Sequence, residues 1–237
     1  MSTHQEVGRE FGNRLLDNLP DAELDALRPQ LEPVSLARTQ YLIVPHEPIP
    51  YAYFPVTSLA SLVTVLEDGS TVEAGAVGRE GMVGVPILLD ARTTPMETLV
   101  QIPGDAIRVK ADALKKAFDG GGVLHDLLNR YIHTIFVGAS QTAACNRRHQ
   151  LELRLARWLL MSSDGVGSNE VALTQEFLAT MLGVRRAGVT QAALYLQESG
   201  FIEYTRGRIR ILDREKLEAA TCECYHMVKE EFERLLG

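Results

Sequence analysis

The sequence predicts an α+β chain: an N-terminal antiparallel β jelly roll, a long dimerisation helix and a C-terminal winged helix-turn-helix. Three observations carry that prediction. Between Val34 and Val109, short β-branched and apolar runs alternate with turn residues. From Val123 to Cys145, apolar residues recur at spacings of four and three. Between Leu173 and Ile211, two short helical patterns meet at a glycine and lead into two alternating strands.

The 237 residues, 46% of them hydrophobic, suit one large or two ordinary domains with real cores. No apolar run approaches the roughly 20 residues of a membrane span, and the polar N-terminus has no signal-peptide core. Cys145, Cys222 and Cys224 form no disulfide framework. A cytoplasmic protein without a membrane partner is the expectation.

Residues 1–118 read as the jelly roll with a helical lead-in. Phe11, Leu15, Leu16 and Leu19 share a helix face, Pro20-Asp21 starts a second helix with Leu24, Leu27 and Leu31, and Pro29 and Pro33 end it. Val56 to Leu66 is strand-like, Glu67-Asp68-Gly69-Ser70 is a turn, and Thr71 to Ala74 resumes the strand. Leu99–Ile102 and Ala106–Val109 add two more around Pro103-Gly104-Asp105. An enzymatic jelly roll of the metal-binding kind needs several histidines and a carboxylate, and between Val34 and Lys110 there is only His46, in a turn. No catalytic residue, metal or cofactor is therefore predicted.

Residues 119–146 form the next unit. After a short helix, Ala111–Ala117, and a glycine break at 120–122, the run from Val123 to Cys145 places Leu124, Leu128, Tyr131, Ile135 and Thr142 on one seam, with Gly138 and Cys145 in phase. Such a seam predicts a homodimer, with Ile132, Phe136 and Ala139 widening the stripe toward the jelly roll.

Residues 147–237 form the last unit. A polar hinge at 145–150 leads into a helix over Leu151–Met161, in which Arg154 and Arg157 are expected to stay wet. A loop over 162–169 follows. Thr174 caps the next helix, with Phe177, Leu178, Met181 and Leu182 on its apolar face and Gly183 ending it. The second helix buries Val189, Ala192, Ala193 and Leu196 and closes at Gly200. Phe201–Tyr204 and Arg208–Ile211 make a hairpin about Thr205-Arg206-Gly207.

Charge is unevenly distributed. The chain carries a net −7, yet residues 147–214 hold 10 Lys/Arg against 7 Asp/Glu, while residues 1–146 hold 11 against 18. Positive charge thus gathers where phosphate binding requires it, and double-stranded DNA is the predicted partner. Arg185 and Arg186 at the start of the second helix are placed for bases or phosphates. Thr190 and Gln191 lie one turn further on, Thr174 and Gln175 sit at a helix N-terminus suited to a phosphate, and Arg206 and Arg208 would grip the backbone. Gly188 inside the helix reads first as a packing glycine. The competing reading is a ligand-binding or enzymatic jelly roll whose winged helix mediates protein contacts, which the charge split disfavours.

The run Leu173-Thr174-Gln175-Glu176-Phe177-Leu178-Ala179-Thr180-Met181-Leu182-Gly183-Val184, with Val189-Thr190 and Gly200-Phe201-Ile202, resembles the winged helix of Crp/Fnr-type bacterial transcription regulators. Arg154–Leu160 is similar to the helix before it. Tyr53-Phe54-Pro55, Asp68-Gly69 and Gly84–Leu89 resemble the cyclic-nucleotide-binding jelly roll. The resemblance implies a dimer acting at promoters and touching RNA polymerase. In nucleotide-binding members a Gly-Glu pair and a downstream Arg hold the ligand. Here Val85 follows Gly84, and Thr93–Thr98 offers Glu97 instead of an arginine, although Arg79, Glu80 and Arg92 are nearby. The effector is therefore unassigned and is not expected to be a cyclic nucleotide. The family's recognition helix carries Arg-Glu and a second Arg, whereas Arg186-Ala187-Gly188-Val189-Thr190-Gln191 matches only the first, so the usual operator does not transfer. No N-terminal cysteine group supports iron–sulfur sensing. In Cys222-Glu223-Cys224-Tyr225-His226, a continuous helix would align only Cys222 with His226, at most half a zinc site. A packed tail helix with Leu217, Met227, Phe232 and Leu235 inward is expected instead.

Overall fold

The computed structural model describes residues 11–205 and 207–237. Helix α1 (Arg14–Asp17) is capped by the buried Asn13, whose Oδ1 accepts from the Leu15 amide at 3.1 Å. Its Nδ2 donates to the carbonyls of Pro55 and Gly81, at 2.8 and 2.9 Å, tying the lead-in to the sheets. After α2 (Asp21–Leu27) and a 3-10 turn over Arg28–Gln30 comes β1 (Glu32–Leu36). Pro33 therefore does not end the lead-in. It lies within an edge strand, where a missing N–H is tolerated.

The jelly roll continues with β2 (Tyr41–Ile43), β3 (Tyr51–Pro55), β4 (Leu59–Val65), β5 (Thr71–Val77), a short helix α3 (Val85–Leu88), β6 (Glu97–Ile102) and β7 (Gly104–Lys110). The strands form two antiparallel sheets, ordered β1-β7-β3 and β2-β6-β4-β5. Helix α4 (Ala111–Asp119) leads to α5 (Gly122–Arg148), then α6 (Leu151–Val166), β8 (Glu170–Val171), α7 (Gln175–Leu182), α8 (Arg186–Glu198), β9 (Ile202–Thr205), β10 (Arg208–Ile211), α9 (Arg214–Ala220) and α10 (Glu223–Leu236).

Two cores hold the chain. The first joins jelly-roll residues such as Phe54 and Met82 to Leu114 of α4 and Leu124, Leu128 and Tyr131 of α5. The second joins α6, α7, α8 and the hairpin, and it also takes in Leu59, Val63 and Ile102 from the jelly roll. The C-terminal unit thus packs directly on the four-stranded sheet. At that contact Glu73 is buried, accepting from Ser61 Oγ at 2.6 Å and Trp158 Nε1 at 3.0 Å. Burial raises the Glu73 carboxyl above the usual range, while the two donors and the Arg157 cation act the other way. Beside it, a Cβ on Gly78 would stand 2.3 Å from the Gly165 Cα, so the end of β5 and the end of α6 touch backbone to backbone. Helix α6 runs through this glycine to Val166, where the sequence reading expects a loop from Ser162, and the close approach accounts for a glycine at 165.

The expected α5 seam needs correcting. Leu124, Leu128 and Tyr131 are buried in the chain's own first core, and the Tyr131 hydroxyl donates to the Met82 carbonyl at 2.8 Å. Ile135 packs against the same core, and Thr142 Oγ1 accepts from Arg157 Nη2 at 2.9 Å. The stripe is broad enough to cover the jelly roll and still leave a second apolar face. That free face carries Phe136, which is 69% exposed, in phase with Ala139 and Ala143.

Two arginines expected to be wet are drawn inward. Arg157 is buried, and Arg154 donates to Asn146 Oδ1 and to the Leu182 carbonyl at the end of α7. In the tail, Leu217 is buried, Phe232 and Leu235 pack on the first core, and Met227 is instead half exposed. Cys222 is the N-cap of α10 rather than part of it, so its alignment with His226 is lost. His226 sits at the surface near the Glu218 carbonyl, while Cys222 and Cys224 both turn inward toward Cys145.

Candidate nucleic-acid interface

Helix α7 begins where the Thr174 Oγ1 accepts from the Phe177 amide at 3.2 Å, and it ends at Gly183, whose φ of 63° is the left-handed conformation of a C-cap. Two residues later Arg185 caps α8 and Arg186 opens it. The α8 stripe of Val189, Ala192, Ala193 and Leu196 is buried, which turns Arg185, Arg186 and Gln191 outward to solvent. A Cβ on Gly188 would lie 3.1 Å from Leu151 Cδ2, so this glycine admits the crossing of α6.

Three of the eight predicted reading residues share one cleft. Thr174, Gln175 and Arg186, with Glu176, Tyr204 and Gly207, line a cleft of about 370 Å³ between the starts of α7 and α8 and the hairpin. Thr190 Oγ1 donates to Gln175 Oε1 at 2.9 Å, locking the two helices in register. Arg186 Nη1 stands 3.8 Å from Glu176 Oε2, with both side chains more than two-thirds exposed. Arg208 extends from the hairpin and pairs with Glu170 at 2.9 Å. Arg206 lies outside the described residues. Gln191 and Arg185 flank the cleft without lining it.

Sequence reasoning missed three contributors. Glu176 carries no site role in the sequence reading, yet its carboxylate faces Arg186 across the cleft mouth. Tyr204 sits on β9, with its hydroxyl 3.5 Å from the Leu173 carbonyl, and its inward phase was disguised by the alternation of the hairpin. The hairpin is also a three-stranded sheet in the order β8-β10-β9, because Val171 pairs with Ile209. A two-residue strand leaves no readable period.

Chemically, the cleft presents two helix N-termini, hydroxyl and amide donors, and a guanidinium held loosely by one carboxylate. Helix N-termini and arginine favour phosphate, and arginine also matches guanine O6 and N7. Weak surface pairing leaves Arg186 free to exchange Glu176 for a nucleic-acid acceptor.

A second hollow, of about 780 Å³, lies between β5, α5, α6 and α10. Met82, Ile132, Phe136, Met161 and Phe232 give it apolar walls, and Arg79, Glu80, Asp164 and Arg214 also face it. Burial raises the Glu80 carboxyl. Arg92 is not part of the hollow and pairs with Asp112 at the surface.

The helix-turn-helix, its wing and the exposed arginines define a DNA-binding module joined to an N-terminal jelly roll. Residues 153–220 match the Crp-like helix-turn-helix domain. No curated protein matches the chain by sequence. Among solved structures, the chain is similar to FixK2 from Bradyrhizobium japonicum, with a TM-score of 0.68, 18% identity, and 81% of this chain and 98% of that one covered. It is also similar to a putative transcriptional regulator of the Crp/Fnr family from Eubacterium rectale, with a TM-score of 0.65, 18% identity, and 86% and 96% covered. A CRP-family transcriptional regulator from Thermus thermophilus gives a TM-score of 0.63, 19% identity, and 78% and 95% covered. The chain therefore has the Crp/Fnr regulator fold and carries a Crp-like helix-turn-helix domain. Among the described residues, no helix is long and apolar enough to cross a membrane.

Proposed function

We propose that the protein is a cytoplasmic, homodimeric, sequence-specific DNA-binding transcription regulator, not an enzyme, that responds to an effector other than a cyclic nucleotide. The observation that carries this reading is the cleft in which Thr174, Gln175 and Arg186 converge beside the hairpin, with Arg185 and Gln191 exposed nearby in the sequence. In this reading α8 enters the major groove, Arg185, Arg186 and Gln191 meet base edges, and Thr174 and Arg208 meet phosphates. Thr190 acts through its bond to Gln175. Arg206, whose placement is undescribed, belongs to the phosphate group by its position in the turn.

Dimerisation uses the free face of α5, with Phe136 at its centre, not the buried Leu124–Tyr131 seam. Two copies would set two α8 helices about 34 Å apart, one turn of DNA. The apolar hollow beside α5 is the effector site of this reading. Its walls suit a largely apolar ligand, with Arg79 on the lining to meet one anionic group. Contact with RNA polymerase follows from the family resemblance.

The test is a selection from random duplexes by the full-length protein at low salt, with oligomeric state measured by light scattering. The expected result is a two-fold symmetric site with half-site centres about 10 base pairs apart, bound by a dimer. No enriched sequence, or a monomer on the enriched one, overturns it.

A further inference from the structure

A cluster of metal-ligating atoms lies away from both the DNA cleft and the apolar hollow. Cys145 is in the last turn of α5, His149 is the residue that ends α5, Cys222 caps α10 and Cys224 is in its first turn. Their three sulfurs and one histidine nitrogen all lie within 4.8 Å of one another. The three cysteines are fully buried and, with Leu153 against them, make a small core distinct from the two large ones.

We propose that Cys145, His149, Cys222 and Cys224 form a four-coordinate zinc(II) site that fastens the end of α5 to the tail helix. Two of the separations match those around one small ion, and the rest lie within 4.8 Å. In a tetrahedron with Zn–S near ~2.3 Å and Zn–N near ~2.05 Å, two sulfurs stand about 3.8 Å apart, and a sulfur and a nitrogen about 3.6 Å. Here Cys145 Sγ and Cys222 Sγ are 3.6 Å apart, and Cys224 Sγ and His149 Nδ1 are 3.5 Å apart. A multi-iron cluster needs ligands spread around several metal atoms, so this compactness points to a mononuclear centre. Thiolate-rich tetrahedral sites favour zinc.

The surroundings are those of a metal site rather than of three idle thiols. His149 Nε2 is 3.3 Å from Glu223 Oε2, which places the ring proton on Nε2 and leaves the Nδ1 lone pair facing the sulfurs. Gln141 Nε2 donates to Cys224 Sγ at 3.1 Å, a bond that supports a thiolate ligand. A zinc with three thiolates and one imidazole carries a net charge of −1. Arg157 is buried, its Nε has no hydrogen-bond partner among the described residues, and it is close enough to act electrostatically on the Cys145 sulfur. With four protein ligands the ion has no open position, so the site is structural, not catalytic.

Its location gives it a consequence. Between α5 and α6 only His149 and Gln150 are non-helical. Zinc bound to His149 holds that hinge against α10, which itself lies along α5 and α6. Metal loading therefore fixes the angle between the jelly roll and the reading helices.

The experiment is elemental analysis and X-ray absorption of the full-length protein purified without chelator under reducing conditions. One zinc per chain is expected, with three sulfurs near ~2.3 Å and one nitrogen near ~2.0 Å. Cobalt(II) in its place should show the intense visible bands of a tetrahedral thiolate site. Cys224→Ser and His149→Ala should each lower zinc occupancy at a fixed competing chelator concentration by at least about tenfold, as loss of one of four ligands requires. His226→Ala, at the exposed neighbour, should leave it unchanged. Wild-type protein should lose thermal stability on chelation and regain it on adding zinc, a readout that does not depend on any variant folding. Metal-free protein with three titratable thiols, a Cys145–Cys222 disulfide, iron with acid-labile sulfide, or zinc retained equally by the ligand variants would each overturn the proposal.

Discussion

Two groups of arginines in the C-terminal half of the chain have opposite surroundings. On the outer side, Arg185, Arg186 and Arg208 stand in solvent, with at most one exposed carboxylate partner each among the described residues. On the inner side, Arg154, Arg157 and Arg214 are built into the fold. Arg154 closes the end of α7, Arg157 reaches Thr142 on α5, and Arg214 joins Asp164 at 2.5 Å, Glu218 at 2.8 Å and the Tyr225 hydroxyl at 2.8 Å. The net positive charge of residues 147–214 therefore overstates what DNA can meet. Part of it holds the C-terminal unit together and ties it to α5, and the reading face relies on a few well-placed side chains.

Arg214 gives the sharpest way to break this comparison. Arg214→Ala leaves the Asp164 and Glu218 carboxylates and a buried tyrosine hydroxyl without their common partner. Burial and those carboxylates lift the Tyr225 phenol above its ordinary range, and Arg214 acts against that rise. The expected loss is about 2–4 kcal/mol of unfolding free energy, since removing one member of a partly buried charge network strands the others. Urea denaturation measures it, with Arg185→Ala as the outer counterpart, expected within about 0.5 kcal/mol of wild type. Equal stability of the two variants would erase the distinction between the groups.

The same contrast separates what was legible in the sequence from what was not. The reading head was legible because its signals are local. Thr174, Gly183 and the stripe Val189, Ala192, Ala193, Leu196 act within a few residues of one another, and the structure places each as expected. The inner side depends on partners far along the chain. Nothing near Arg157 announces Thr142 or Glu73, so an arginine on an amphipathic helix reads as solvated. The α5 seam failed for a related reason. Its apolar stripe is wide enough for two faces, and it takes distant partners, such as the Met82 carbonyl 49 residues away, to fix which face Tyr131 takes. Gly165 looked like a loop residue until Gly78 arrived against it. The cysteines hid in the same way: Cys145 and His149 are one turn apart, but Cys222 and Cys224 join them only through the packing of α10 on α5.

Arg186 sharpens the comparison from the other side. Arg186→Ala removes a guanidinium that is 3.8 Å from its carboxylate partner and 68% exposed, so folding should be unaffected. Affinity for the selected operator should fall by about 1–3 kcal/mol, the discrimination of one bidentate base contact, while binding to unrelated duplexes changes little. Fluorescence anisotropy with both duplexes measures it. An equal drop on both would move Arg186 from base reading to phosphate holding.

The smallest effect belongs to Arg208. It sits at the start of β10, opposite Thr205 of β9, and its 2.9 Å pair with Glu170 keeps it pointing along the edge of the wing. In the proposed reading it meets a phosphate beside the groove rather than a base edge. Arg208→Ala should therefore weaken all sequences alike, by less than Arg186→Ala weakens the operator. It should also make the dependence of log K on log salt shallower by about 1, as one lost phosphate contact requires. Titrations at a series of salt concentrations read that slope. Glu170→Ala provides the converse case: it frees Arg208 from its carboxylate, so nonspecific affinity should rise slightly. An unchanged slope in Arg208→Ala would mean that the wing does not touch the backbone, and the outer group of arginines would shrink to the two at the tip of α8.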